Sequence, residues 1–341
     1  MIPLLLLAAL QQPADPQPEK PKDDATPVTV AYKDGLQFKA ADGAFDLTLC
    51  GHLMFHYRAV PNRPDDATRT SPDTLLVRQA RLELYGAISK DFEYKMVYDF
   101  PTAAAAVNGT IQDCYLGWKR WKELSIRVGQ FKEPFGQEEL IHDPYVDFAE
   151  RGVSNRLVPQ RDLGFMAHGR FGDGLFEYCL GVYNGAGRSV NDTNDEKDVV
   201  LRLRTSPIPG LRFGVSATYG DVDTTAAATT GDLVTTELNI MFVDATAGSF
   251  DGLRTRLGFE LTFIRGPFGI RGEFIRRVDE VDNGAFDGEK VTYTGWSVAA
   301  AFVLTGEDYP MEARLVPAHP LLGDGQEDRF VGFLGRLQLD F

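Results

Sequence analysis

From Asp46 to its carboxyl terminus the chain is written largely in period two. Over Asp46–Tyr57, Leu47, Leu49, Leu53, Phe55 and Tyr57 share one face while Thr48, Cys50, His52 and His56 take the other. Phe92, Tyr94, Met96, Tyr98 and Phe100 alternate in the same way with Glu93, Lys95, Val97 and Asp99. Such alternation marks β-strands with two unlike faces, because successive side chains point to opposite sides. The pattern predicts further strands at Leu76–Ile88, Thr110–Lys119, Glu123–Phe131, Asp162–Phe171, Leu175–Tyr183, Asp198–Thr205, Leu211–Tyr219, Leu233–Asp244, Leu253–Ile264, Pro267–Arg277, Val291–Leu304 and Arg329–Phe341, fourteen in all.

A soluble sandwich alternates too, so the pattern alone does not choose a membrane. Length does: strands of about 9 to 11 residues suit a tilted bilayer crossing, whereas ordinary strands centre on about 5 to 6. Aromatics close many of the apolar stripes, among them Tyr57, Phe100, Trp118, Phe171, Tyr219, Trp296 and Phe302, as interfacial girdles would. Long connections (185–197, 220–232, 278–290) alternate with shorter ones (206–210, 245–252, 265–266), and the last strand ends on Phe341. The expected fold is all-β, an antiparallel transmembrane β-barrel of about 14 to 16 strands.

One stretch breaks the period. Between Phe131 and Asp162 lie roughly thirty residues, far more than the 2 to 5 of a hairpin loop. Phe131, Phe135, Leu140, Ile141, Tyr145, Val146, Phe148, Leu157 and Val158 are too many apolar anchors for a solvated tail. Such a segment needs a wall to lie against, and the barrel interior supplies one. It is therefore expected to fold inward as a constriction loop, 131–162.

Several blocks carry a resemblance. In chain order they are RQARLELYGAISKDFEYKMVYDF at Arg78–Phe100, RVGQFKEPFG at Arg127–Gly136, FAERGVSNRLVPQRDLGFM at Phe148–Met166, GPFGIRGEF at Gly266–Phe274 and GWSVAAAFVLTGEDYP at Gly295–Pro310. Together they resemble the phosphate-selective porin O and P family of outer-membrane channels. The resemblance implies a sixteen-stranded barrel, phosphate or polyphosphate as solute, and a homotrimer. Fourteen strands are counted here, so a narrower barrel and a sixteen-stranded one both stand.

Composition changes this picture in three places. With 43% hydrophobic and 25% charged residues there is no internal run of 18 apolar residues, which argues against a spanning helix but not against a barrel. The formal net charge of −14 disfavours nucleic acid as a partner while leaving small anions open, since these respond to the local field. Cys50, Cys114 and Cys179 are odd in number and widely spaced, giving no disulfide framework or zinc motif. Residues 1–10 resemble the apolar part of a secretory signal, and 11–40 form a Pro/Asp/Lys-rich stretch expected to be a periplasmic linker before a barrel at 41–341.

With apolar faces outward, the other parity lines the lumen. Its basic members are Arg81, Lys95, Lys119, Arg127, Arg170, Arg202, Arg204, Arg212, Arg254, Arg256, Arg271, Arg277 and Arg336, thirteen against nine acids: Glu83, Glu93, Asp99, Asp113, Glu177, Glu237, Glu260, Glu273 and Asp340. The loop adds Lys132, Arg151, Arg156 and Arg161 beside Glu133, Glu138, Glu139, Asp147 and Glu150. Arginine suits an anion path, since its planar fork presents oriented donors and keeps its charge. Inward Arg and Glu on neighbouring strands can equally pair and hold the barrel's shape.

Chemistry beyond transport finds little support. His52 and His56 share a face but stand about 13 Å apart on a strand, too far for one metal. No nucleophile elbow, Walker loop or dinucleotide fingerprint occurs, so neither an enzyme nor a cofactor is expected. The expected function is a passive outer-membrane porin for small hydrophilic solutes, anions favoured, with outer-membrane lipid around it. The alternative is a narrowed or non-conducting barrel with a structural or adhesion role in the outer envelope.

Overall fold

The computed structural model describes residues 26–33, 35–58, 74–102, 109–148, 150–192, 194–222, 252–281, 288–306 and 309. Fourteen strands follow one another: β1 (Val28–Tyr32), β2 (Leu36–Ala40), β3 (Phe45–Arg58), β4 (Thr74–Ile88), β5 (Phe92–Asp99), β6 (Thr110–Trp118), β7 (Ser125–Lys132), β8 (Arg161–Phe171), β9 (Phe176–Tyr183), β10 (Asp198–Ile208), β11 (Leu211–Val222), β12 (Gly252–Arg265), β13 (Phe268–Val281) and β14 (Glu289–Phe302). Each pairs antiparallel with its neighbours in sequence, so the sheet order is the chain order.

After the short 33–35 link between β1 and β2, connections alternate in length along the meander. The segments 41–44, 89–91, 119–124, 172–175, 209–210 and 266–267 are short, whereas 59–73, 100–109, 133–160, 184–197, 223–251 and 282–288 are long. Glycine makes the tightest turn workable: Gly210 has φ 87°, and a Cβ there would meet the Ile264 carbonyl oxygen at 2.1 Å. Ser89 and Lys90 hold left-handed backbone without that freedom, at φ 54° and 57°. Lys90→Gly is expected to stabilise the barrel by up to about 1 kcal/mol, read as a higher urea midpoint in detergent.

The two faces divide in the sense opposite to a soluble protein. On β5, Phe92 and Met96 are exposed while Glu93, Lys95, Val97 and Asp99 between them are buried. On β12, Leu257, Phe259 and Leu261 are exposed while Arg256, Glu260 and Thr262 are buried. An apolar exterior over charged interior positions would be unfavourable in water by roughly 25 cal/mol for each Å² of apolar surface, and is at ease only in lipid. Tyr57, Phe100, Phe171, Tyr219, Trp296 and Phe302 all lie on that exposed face, and Trp118 packs edge-on against Trp121 at 5.0 Å.

Twelve of the fourteen predicted strands coincide with observed ones to within a few residues. The sheet nevertheless begins earlier than expected: β1 and β2 occupy 28–40, inside the stretch expected to be linker. Val28, Val30 and Tyr32 pair with β2 through backbone bonds, which the surrounding Pro- and Asp-rich composition concealed. Leu233–Asp244 and Arg329–Phe341 lie outside the described residues, as do residues 1–10.

The interior is not wholly polar. Tyr115, Phe131, Met166, Tyr183, Val200 and Ile275 stand on the inward parity of β6, β7, β8, β9, β10 and β13 and form a buried cluster with Phe135 and Val158 of the long loop. Strand alternation alone would have made that patch polar. It is the wall on which the loop rests.

Candidate solute path and constriction loop

The loop leaves β7 through Pro134 and Gly136, where φ 76° and a Val158 methyl 3.0 Å from any Cβ make glycine necessary. Its neck is closed by the Glu133 amide donating to the Gln160 carbonyl at 2.8 Å. Inside it the chain forms one helical turn, Gln137–Leu140, and 3-10 turns at Asp143–Tyr145 and Val153–Leu157. Phe135 is fully buried against the inner apolar patch, with its ring over Gly258 of β12.

From this neck the loop reaches walls nine strand positions apart. Toward β4, Arg78 donates to both carboxylate oxygens of Glu150 at 2.8 and 3.0 Å, Gln79 donates to Asp143 at 2.9 Å, Arg81 is bonded to Asp143, and His142 Nε2 lies 2.6 Å from Glu83. Toward β12 and β13, the Gln137 amide donates to Glu273 at 2.7 Å, Arg271 donates to Asp147 at 2.7 Å, and Arg256 donates to the Leu157 carbonyl at 3.0 Å. Gly295 of β14 lets Ser154 and Leu157 approach its backbone. An excursion tied to both sides in this way lies across the lumen rather than over its mouth.

Charge within the loop is largely self-compensated. Arg151 meets Asp143 at 2.5 Å and Glu139 at 3.7 Å, and Lys132 meets Glu139 at 3.4 Å. Burial alone would raise Glu139 and Asp143, but for Glu139 Lys132 and Arg151, and for Asp143 Arg151, Lys132 and Arg81, outweigh it and hold both carboxyls below the usual range. Both therefore remain charged anchors at neutral pH. Glu133 goes the other way: burial first, then Asp198, pushes it well above the usual carboxylate range.

The wall cations are mostly paired as well. Lys95 meets Glu83 at 2.9 Å, Arg127 meets Glu93 at 3.2 Å, Lys119 meets Glu93 at 3.8 Å, and Arg161 meets Asp113 at 2.7 Å. Arg202 holds Glu260 at 2.6 Å, Arg254 holds Asp279 at 2.9 Å, Arg204 pairs with Glu177, and Arg81 meets Asp99 at 2.9 Å. The arginine-rich parity thus lies on the buried face as a ladder of ion pairs that shapes the wall. Arg170 sits exposed at the short-turn end of β8, Arg156 lies half-buried in the loop, and Arg336 falls outside the described residues.

Two cations differ. Arg256 donates to the Leu157 carbonyl and the Thr218 hydroxyl rather than to a carboxylate. Arg188, in the 184–197 connection, donates to Gln112 Oε1 at 2.6 Å, and its guanidinium is pushed below its usual value by desolvation and then by Arg161 and Arg81. The sequence reading passed over Arg188 because it stands in no alternating segment; its place between Gly185, Gly187 and Ser189 gave the signal of a turn that could present it.

The sequence comparisons agree with this geometry. Residues 50–323 match the family model for phosphate-selective porin O and P. The chain belongs to the phosphate-selective porin O and P family. Porin O of Pseudomonas aeruginosa is 23% identical over 316 residues, covering 83% of this chain and 70% of that protein. Among solved structures, a loop L8 deletion form of OmpT, an outer-membrane protein of Vibrio cholerae, superposes with TM-score 0.52 at 10% identity, covering 76% of this chain and 78% of that one. In-vitro folded OmpT gives 0.50 at 11% identity, covering 76% and 72%. The protein is a porin of the bacterial outer membrane, a channel and not an enzyme.

Proposed function

We propose that this porin conducts small hydrophilic anions, phosphate-like oxyanions in particular, past the loop at 133–160. The observation that carries the reading is the arginine-rich interior, where Arg256 on β12 and Arg188 in the 184–197 connection donate to neutral oxygens rather than to a carboxylate. The paired residues, Arg81, Lys95, Arg127, Arg161, Arg202, Arg254 and Arg271 among them, fix the shape of the path, while Arg188 and Arg256 set its field. Membership of the phosphate-selective porin O and P family supports phosphate as the solute class, and the family resemblance supports a homotrimer, testable by cross-linking in detergent.

Reversal potentials in a KCl gradient across a planar bilayer test the sign of selectivity. Anion preference is expected, with phosphate competing for chloride current; cation preference would refute the reading. Arg188→Glu changes the charge by two units, which at about 8 Å in water is worth on the order of 1 kcal/mol, or a roughly fivefold change in anion occupancy at low salt. The measured permeability ratio should move toward cations accordingly.

A second reading has its own observation. The inner apolar cluster and the loop pinned at both walls occupy part of the lumen, which favours a narrowed barrel with an envelope role. Single-channel recording separates the two, since a non-conducting barrel gives no steps.

A further inference from the structure

Sequence spacing rules out His52 and His56 as a metal pair, yet the folded loop brings a different partner. His142, in the loop, places its ring edge-on to that of His52 on β3, centroids 5.4 Å apart, with Glu83 of β4 between them. His52 Nδ1 lies 3.7 Å and His142 Nε2 2.6 Å from Glu83 Oε1, and one ligand atom from each of the three residues falls within 4.8 Å of the others. We propose that His52, Glu83 and His142 form a binding site for one divalent transition-metal ion of the zinc, copper(II) or nickel class, and that the bound ion fastens the constriction loop to the β3–β4 wall.

The surrounding hydrogen bonds select the tautomer that a metal requires. Gln79 Nε2 donates to the Asp143 carboxylate at 2.9 Å, which turns its carbonyl Oε1 toward His52 Nε2 at 3.2 Å. A carbonyl oxygen only accepts, so Nε2 carries the proton and the neutral ring offers its Nδ1 lone pair toward Glu83. Two lone-pair atoms then face each other across 3.7 Å, a separation suited to a shared cation, since two ligands at about 2.1 Å from a tetrahedral ion stand roughly 3.4 Å apart. Glu83 is steadied from behind, because Lys95 Nζ holds its other oxygen at 2.9 Å. His142 Nδ1 has no hydrogen-bond partner among the described residues, so the proton that Nε2 shares with Glu83 at 2.6 Å can pass to it when a metal takes that position and parts the two atoms. Binding from the doubly protonated ring would instead release one proton to solvent.

Donor chemistry sets the ion class. Two imidazoles and a carboxylate suit zinc, copper(II) and nickel better than magnesium or calcium, and three protein ligands leave a fourth position for water or a passing anion. Gln79 and Lys95 act as positioning residues, through His52 and Glu83 respectively. The site joins β3, β4 and the loop, so occupancy adds a tie beside the Arg81–Asp143 and Arg78–Glu150 contacts. The inference does not depend on which solute the porin carries.

The test is isothermal titration of the full-length, EDTA-treated porin in detergent with zinc chloride. One ion per chain is expected, with affinity at least tenfold lower in His52→Asn and in His142→Gln, and with a copper(II) electron paramagnetic resonance spectrum showing two coupled nitrogens. His168→Asn, on β8 opposite Ser125 and Cys179, should bind as the unaltered protein does. Heat-modifiable migration on a gel confirms that each variant is folded. In planar bilayers, zinc should reduce the open-channel noise of the unaltered porin and leave that of His142→Gln unchanged. Absence of saturable zinc binding, or full binding by a folded His52→Asn/His142→Gln double variant, would overturn the proposal.

Discussion

Replacing residues 137–157 with a short Gly/Ser bridge should raise single-channel conductance by about twofold or more and weaken ion selectivity at the same time. The loop crosses from β4 to β13, so its removal widens the path where cross-section limits the current. Its ends lie close together already, because Glu133 and Gln160 are hydrogen-bonded at 2.8 Å. A short bridge therefore leaves the β7–β8 register intact. Phe135 and Val158, which cover the inner patch of Tyr115, Phe131, Met166 and Tyr183, lie outside the replaced segment and stay in place. Unchanged conductance in a folded variant would mean that the loop does not lie in the path.

Glu260→Ala is expected to be the most damaging wall substitution, with a loss of about 3 kcal/mol in urea unfolding. Arg202 on β10 and Glu260 on β12 are not on adjacent strands; they meet over Gly214 of β11, which stands opposite Glu260 in register and where a Cβ would lie 2.5 Å from Glu260 Oε1. Arg202 donates through Nε at 3.2 Å and Nη2 at 2.6 and 2.8 Å, and its side chain is 3% exposed. Removing the carboxylate leaves a buried guanidinium without its partner, whereas Glu260→Gln keeps an acceptor and should lose less. The double variant Arg202→Leu/Glu260→Leu should recover most of the loss. If Glu260→Ala unfolds at the same urea concentration as the parent, the ladder of pairs is decoration rather than scaffold.

Much of this was legible from residue pattern, for reasons that also mark where legibility ended. Alternation in Phe92–Phe100 or Leu253–Ile264 is set by lipid outside and charge inside, so it located those strands and their facing. Val28–Tyr32 carries only a few apolar residues amid Pro and Asp, and its strand identity comes from pairing with β2. Local pattern carries no information on which strands are neighbours.

The loop's inward course was readable in Phe135, Leu140 and Val158, residues that need cover. Its anchors were not, because Gln137 and Glu273 are 136 positions apart and only the assembled sheet brings them together. The arginines show the same limit. Parity puts Arg202 and Glu260 on the inner face, but only register and a glycine between them make a pair. His142 was hidden for that reason too, as its partners lie on β3 and β4.

The division of faces bears everything else, and spin-label accessibility along β12 reads it directly. In a background with Cys50, Cys114 and Cys179 changed to Ala, single labels at each position from Arg256 to Phe263 would be exposed in lipid to oxygen and to a water-soluble nickel chelate. Oxygen contact should peak at Leu257, Phe259 and Leu261 and chelate contact at Arg256, Gly258, Glu260 and Thr262, alternating out of phase. Equal, flat profiles for the two relaxants, or oxygen peaks at the charged positions, would contradict a barrel with its arginines inside.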